Sequence, residues 1–241
     1  MLKIFQKPSP TSHYINDLHS HLLPGIDDGV KSFEESLRIL RKLHNMGTRK
    51  IVTTPHIMSD LYPNNEDDVL KIGGSLKERI KKENIEIELS IAAEYFLDES
   101  LMDKLNNNPD VLLTFGKNYL LFETSFYNRP LYLNEFIFKA QSIGLKPVLA
   151  HPERYSYLHQ KIEAIHDLIQ RGVLLQLNII SLAGFYSKPI KKFAEQLINE
   201  EVIQFIGSDC HNEIQCEAIK AAMKNKHYSK VAGSPLLNYK L

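Results

Sequence analysis

Short apolar runs alternate along this chain with longer segments in which apolar residues recur every three to four positions. The runs Tyr14–His19, Lys50–Thr54, Glu86–Ala93, Tyr119–Glu123, Lys146–His151, Val173–Asn178 and Val202–Gly207 are rich in Ile, Leu and Val without clean alternation. That pattern predicts strands covered on both faces. Between them, Leu37, Leu40 and Leu43 follow Ser32 at helical spacing, with Ser32 as the expected cap and Glu35 as its capping-box partner. Further helices are predicted over Asp67–Glu83, Pro130–Ile143, Lys161–Gln170, Lys188–Asn199 and Glu213–Lys224, and Gly47, Gly144 and Gly172 stand where helices end in a left-handed residue. Seven strands alternating with helices imply an α/β fold with a parallel sheet and crossover connections. An open doubly wound sheet and a closed barrel both produce this pattern, and the pattern does not decide between them.

Residues 1–13 include the Pro/Ser/Thr-rich stretch Lys7–Ser12 and are expected to be an extended lead-in. No later stretch is long enough to be an interdomain linker, so residues 14–241 are expected to form one domain. A chain of 241 residues buries roughly 70% of its unfolded surface and needs no staples. Its 29 Lys and Arg balance 29 Asp and Glu, which leaves no field to attract nucleic acid or an anionic membrane. Two cysteines, Cys210 and Cys216, cannot make a disulfide framework. No signal peptide or membrane-spanning run is visible, and a cytoplasmic protein is expected.

Histidine placement carries the chemistry. Of ten histidines, His19, His21, His56, His151 and His211 sit at or just beyond the C-terminal ends of predicted strands. Asp28, Glu94, Glu123 and Asp209 occupy equivalent places. In parallel α/β folds those ends surround the ligand site. Four ionised carboxylates in one cleft would repel one another by several kcal/mol, a cost that bound cations remove. Imidazoles and carboxylates without thiolates suit manganese, zinc or iron better than calcium or magnesium. Asp17 is expected either to orient an imidazole or to bond nearby backbone, and Asp27 to shape the Pro24–Gly29 turn.

Six blocks in order are recognisable: Asp17-Leu18-His19-Ser20-His21, Thr54-Pro55-His56, Ala93-Glu94, Glu123, His151-Pro152-Glu153-Arg154-Tyr155 and Ser208-Asp209-Cys210-His211-Asn212. Together they resemble the polymerase-and-histidinol-phosphatase (PHP) superfamily. The Pro24–Gly29 turn and the His151–Tyr155 run resemble its capsular-polysaccharide branch of metal-dependent bacterial tyrosine phosphatases. The resemblance implies a distorted seven-stranded (β/α) TIM-like barrel with three divalent metal ions at the C-terminal strand ends, usually manganese, with iron or zinc as alternatives. Carried over by position, His19, His21, Glu94 and Asp209 would hold one ion. Glu94, Glu123 and His151 would hold the second, with Glu94 bridging, and Asp28, His56 and His211 the third. Arg154 would grip phosphate.

The implied reaction is hydrolysis of phosphotyrosine by a metal-bridging hydroxide, with Arg154, Glu94 and Asp209 as the residues of the catalytic centre. The implied substrate is a tyrosine-phosphorylated protein, the cytoplasmic tail of a membrane tyrosine kinase of polysaccharide assembly. Phe126, Tyr127 and Tyr155 are candidates to line a slot for the aryl ring. Relatives carry a second arginine after the Asp-x-His block, where this chain has Cys216; Arg129 is a candidate substitute. Histidinol phosphate hydrolysis and a non-catalytic, metal-binding regulator of the kinase are the alternatives. A thiol mechanism is disfavoured, because no arginine stands six positions after either cysteine.

Overall fold

The computed structural model describes residues 16–159 and 161–241. The expected lead-in over residues 1–13 lies outside the described residues, as do Tyr14 and Ile15 of the first predicted strand. In chain order the elements are α1 (Phe33–Asn45), β1 (Lys50–Thr53), β2 (His56–Ile57), α2 (Glu66–Lys82), β3 (Glu88–Ile91), β4 (Glu94–Phe96), α3 (Glu99–Asn107), β5 (Tyr119–Glu123), α4 (Leu133–Ser142), β6 (Lys146–Ala150), α5 (Ile162–Gln170), β7 (Leu174–Asn178), α6 (Lys188–Asn199), β8 (Phe205–Gly207), α7 (Glu213–Met223) and α8 (Lys226–Ala232).

The main sheet is a curled, half-barrel arrangement of six parallel strands in the order β2-β4-β5-β6-β7-β8, and β1 and β3 form a separate parallel pair. The predicted strands Lys50–Thr54 and Glu86–Ala93 correspond to β1 and β3, and each is followed after a two-residue break by a further short strand, β2 and β4, that belongs to the main sheet. Between β1 and β2 stands Pro55, which has no N–H to give to a ladder. Pairing nevertheless crosses the break: Ala92 N donates to Thr53 O at 2.9 Å and Glu94 N to Pro55 O at 3.0 Å. The first predicted strand forms no ladder among the described residues. It makes two isolated parallel bridges, Asp17 with Ile51 and Ser20 with Cys210. The segment bonds to both neighbours: Asp17 N donates to Lys50 O and Ser20 O accepts from Thr54 N on one side, while His19 O accepts from Asp209 N and His21 N donates to Cys210 O on the other.

Both faces of the sheet are covered, which explains the missing alternation. In β5, Leu121 joins a cluster with Leu18, Val52, Ala92, Val148, Ala150 and Phe205. Its neighbours Leu120 and Phe122 point the other way, to a larger cluster with Leu40, Leu76, Phe136, Ile165, Leu197 and Ile219 from the helices. Each such buried side chain contributes roughly 1.5–3 kcal/mol before chain entropy is counted. α1 shows how the helices are specified. Ser32 Oγ accepts from Glu35 N at 3.2 Å, while the Glu35 carboxylate accepts from Lys31 N, one residue earlier than a capping box requires. Leu37, Leu40 and Leu43 then face the core. α5 ends at Gly172 with φ of 84°, as its position after the helix predicts.

Two helices were absent from the sequence reading. α3 has a sound cap, Asp98 accepting from Leu101 N at 2.9 Å, but spans nine residues and ends in asparagines that read as loop. α8, at seven residues, is shorter still.

Candidate metal centre

The nine predicted ligand residues converge. His21, Asp28, His56 and His211 form one group whose donor atoms all lie within 4.8 Å of one another. Three further groups are chained to it through shared residues: His19, His21 and Glu94 through His21; His56, Glu94 and Glu123 through His56; and His19, His151 and Asp209 through His19 of the second group. Backbone geometry sets this up. Glu123 lies two residues beyond Leu121 and Glu94 two beyond Ala92, so both carboxylates continue the face that buries the smaller cluster. His56 and Glu94 open β2 and β4 instead of closing the preceding strands, because of the breaks above. His151 and Asp209 follow β6 and β8 with φ of 35° and 53°. For residues other than glycine such conformations cost of order 1 kcal/mol and concentrate at functional sites. Gly207 lets β8 approach: a Cβ there would lie 2.6 Å from His19 Cβ and 2.8 Å from Gln176 Nε2.

Hydrogen bonds assign the tautomers. Asp209 Oδ2 can only accept, so it takes a hydrogen from Asn178 Nδ2 at 2.6 Å. That orients the Asn178 amide, whose Oδ1 accepts from Gln176 Nε2 at 2.9 Å. Gln176 Oε1 is left to accept from His19 Nδ1 at 2.7 Å. His21 Nδ1 likewise donates to Asp27 Oδ2 at 2.8 Å, and His211 Nδ1 to the Asp209 carbonyl at 2.8 Å. In each neutral ring the lone pair therefore sits on Nε2 and points into the cluster.

A cation is what this geometry suits. The Nε2 atoms of His19 and His21 lie 3.2 Å apart, 3.1 and 3.4 Å from Glu94 Oε2, and 3.4 and 3.3 Å from Asp209 Oδ1. Such spacings match the edge of a tetrahedron with bonds of about 2.1 Å, roughly 3.4 Å. The other Glu94 oxygen, Oε1, faces His151 Nε2 at 2.9 Å. Buried His56 Nδ1 and Glu123 Oε1 lie 3.0 Å apart, yet neither has a hydrogen-bond partner. Asp28 Oδ1 faces His211 Nε2 at 3.3 Å and His56 Nε2 at 3.5 Å. Ligand atoms crowded this closely, with His56 Nδ1 and Glu123 Oε1 left without hydrogen-bond partners, fit metal ligation. Without a cation the cluster draws protons. Burial opposes charge on His56, but Glu94 and Glu123 outweigh it and lift its pKa to about 9. Burial also opposes charge on Asp209, yet His19 and His211 hold its carboxyl well below the ordinary range.

Five residues of the cluster, Asp28, His56, Glu123, Asp209 and His211, line a cavity of roughly 830 Å³. Its walls include Phe126, Tyr127, Phe185 and Tyr186, and Arg154 is the one Lys or Arg among the described residues lining it. Arg154 Nη1 donates to Asp209 Oδ2 at 2.9 Å. Several sequence expectations need correcting. Tyr155 is fully buried behind the wall, its hydroxyl oxygen accepting from Thr124 N, and lines no slot. Arg129 bonds Asn134 and does not line the cavity. Cys216 is buried on the inner face of α7, packed in the main core, so that position offers no phosphate contact. Asp17 takes the backbone role, accepting from Ser208 N at 2.8 Å and His19 N at 3.3 Å, and so ties the first segment to the chain after β8. Asp27 shapes its turn through Gly29 N and in addition holds His21, a role not anticipated. Gln176, Asn178 and Tyr186 were missed, since nothing local marks them.

The chain is similar to known proteins over most of its length. The chain is 31% identical over 196 residues to tyrosine-protein phosphatase YwqE of Bacillus subtilis, covering 81% of this chain and 77% of that protein. It is 28% identical over 201 residues to tyrosine-protein phosphatase CpsB of Streptococcus agalactiae, covering 81% and 82%. A solved structure from work on YwqE of B. subtilis and CpsB of Streptococcus pneumoniae, metal-dependent tyrosine phosphatases, superposes with a TM-score of 0.83 at 29% identity, covering 94% of this chain and 91% of its own. Histidinol phosphate phosphatase from Lactococcus lactis shares the fold, with a TM-score of 0.51 at 13% identity over 87% of this chain and 92% of its own. The model of one family, described as capsular polysaccharide synthesis, CpsB/CapC, matches residues 15–231, and the chain belongs to that family.

Proposed function

We propose that this chain is a metal-dependent protein-tyrosine phosphatase. The observation that carries the reading is the cluster of imidazole and carboxylate donors, part of it lining a cavity whose one Lys or Arg among the described residues is Arg154. His19, His21, Glu94 and Asp209 would hold one divalent ion, Glu94, Glu123 and His151 a second, and Asp28, His56 and His211 a third. Manganese is the proposed native metal; the all-N/O donor set supports it, with iron or zinc as alternatives. Bound there, such ions supply an activated water and offset the charge of phosphoryl oxygens.

The chain's own residues do the rest. With one N–H of Arg154 on Asp209, the remaining donors of its planar fork can grip phosphoryl oxygens. Phe126, Tyr127 and Phe185 line a wall against which an aryl ring can pack. A phenol leaves with a pKa near 10, so little is asked of a general acid. Asn178, Gln176 and Asp27 hold the ligands' orientation.

The same reading extends to the whole chain. Residues 14–241 form one phosphatase domain, a distorted seven-stranded barrel in which the Asp17–Ser20 segment closes the ring. Its bridges to Ile51 and Cys210 support that closure. The substrate is a tyrosine-phosphorylated protein, proposed to be the cytoplasmic tail of a polysaccharide-assembly kinase. A cytoplasmic location follows from that substrate, and no helix among the described residues is long and apolar enough to cross a membrane.

The test is phosphate release by manganese-loaded protein from a phosphotyrosyl peptide, a phosphoseryl peptide and histidinol phosphate. Preference for the phosphotyrosyl peptide is expected. Preference for histidinol phosphate would move the substrate assignment, and no turnover of any ester with metal bound would leave a non-catalytic regulator.

A further inference from the structure

A phosphate clamp works only if it is held still, and an arginine side chain is by nature mobile. Arg154 is held from three sides. Its guanidinium lies 4.5 Å from the centre of the Phe126 ring and 4.4 Å from that of Tyr186, while Nη1 bonds Asp209 Oδ2. The two rings form a slot that the guanidinium fills. Tyr186 does more than stack: its hydroxyl donates to the same Asp209 oxygen at 3.0 Å. One side chain thus touches both the cavity's cation and a carboxylate of the metal cluster.

The backbone fixes that side chain in turn. Tyr186 follows a 3-10 turn that closes at Gly184 with φ of 77°. The next residue, Ser187, caps α6 by accepting from Ile190 N, and Pro189 stiffens the first turn. Phe185 packs edge-on against the Tyr186 ring at 5.4 Å. Tyr186 is therefore positioned by a rigid corner and not by a free loop.

We propose that Tyr186 is a positioning residue of the phosphate-binding wall. Its ring fixes the plane of the Arg154 guanidinium, and so the direction in which the clamp presents its donors to phosphoryl oxygens beside the metal cluster. The inference rests on the phosphatase reading, and its test separates the two.

The experiment is a double-mutant cycle between Tyr186→Leu and Arg154→Ala, with para-nitrophenyl phosphate as substrate and inorganic phosphate as inhibitor. Elemental analysis and circular dichroism follow metal content and fold. Loss of a buried cation–ring contact predicts a fall in kcat/KM of about 3- to 30-fold for Tyr186→Leu, with a matching rise in the phosphate inhibition constant. In the Arg154→Ala background the same substitution has almost no further effect, because nothing is left to position. Tyr186→Phe, which keeps the ring and is the variant least prone to misfold, restores phosphate inhibition to wild-type strength. Equal fold losses in both backgrounds, no loss in wild type, or weakened phosphate binding in Tyr186→Phe overturns the positioning role. An inactive wild-type protein with full metal content overturns the phosphatase reading instead, and phosphate binding measured by calorimetry on the same variants then decides the clamp by itself.

Discussion

Gln176 Oε1 accepts from His19 Nδ1 at 2.7 Å, across 157 residues of sequence. The bond pins the His19 lone pair to Nε2, toward His21, Glu94 and Asp209. Gln176→Leu keeps the volume and removes the acceptor. Loss of such an outer partner weakens metal binding by roughly 10- to 100-fold. Titration against a fluorescent chelator checks this, and unchanged affinity would show that packing alone orients the ring.

Metal removal changes how stability depends on pH. The His56 pKa in the fold is about 9 against an ordinary 6.5. The metal-free fold therefore holds a proton that the unfolded chain releases. That contribution is complete below pH 6.5 and is lost as the pH rises through 9. Chelator-treated protein is expected to fall in Tm across this window, while manganese-loaded protein changes less because the ion has replaced the proton. Metal affinity should rise over the same range. Parallel Tm curves with and without metal would contradict it.

Arg154→Ala should retain fold and metal but lose about 10²–10³ in rate, the usual cost of one preorganised charged donor. Arg154→Lys recovers part of this as a point charge without the planar fork. Steady-state kinetics decide. A variant with kcat and KM both within about threefold of wild type would remove Arg154 from phosphate binding, since even a modest donor contributes more.

Cys216→Arg, which positional likeness to relatives suggests as a gain, should be a loss. The thiol is fully buried against Cys210 and the apolar side chains of the main cluster, so a guanidinium there would overpack the site and lose its water. An uncompensated buried charge costs roughly 3–5 kcal/mol. Urea unfolding is expected to show that loss, with no gain in phosphate affinity. Stability within about 1 kcal/mol of wild type would mean that α7 can turn that face outward.

What could be read from the sequence was whatever local order encodes. Apolar runs and helical spacing locate most strands and helices, because backbone hydrogen bonding has fixed periods. Strand ends then nominate His19, His56, Glu94, Glu123, His151 and Asp209, since parallel sheets gather their C-terminal ends on one side. Tertiary structure alone decided the rest. Gln176, Asn178 and Tyr186 matter through partners brought close by the sheet and by the corner before α6, and no short pattern marks such contacts. Whether Cys216, Tyr155 and Arg129 reach the cavity depended on which way a helix face or turn points, and all three point elsewhere. Even the strand count turned on one missing N–H at Pro55 and on a first segment that divides its bonds between two neighbours. Periodicity can place a residue on a strand, but only packing decides what that strand will bond to.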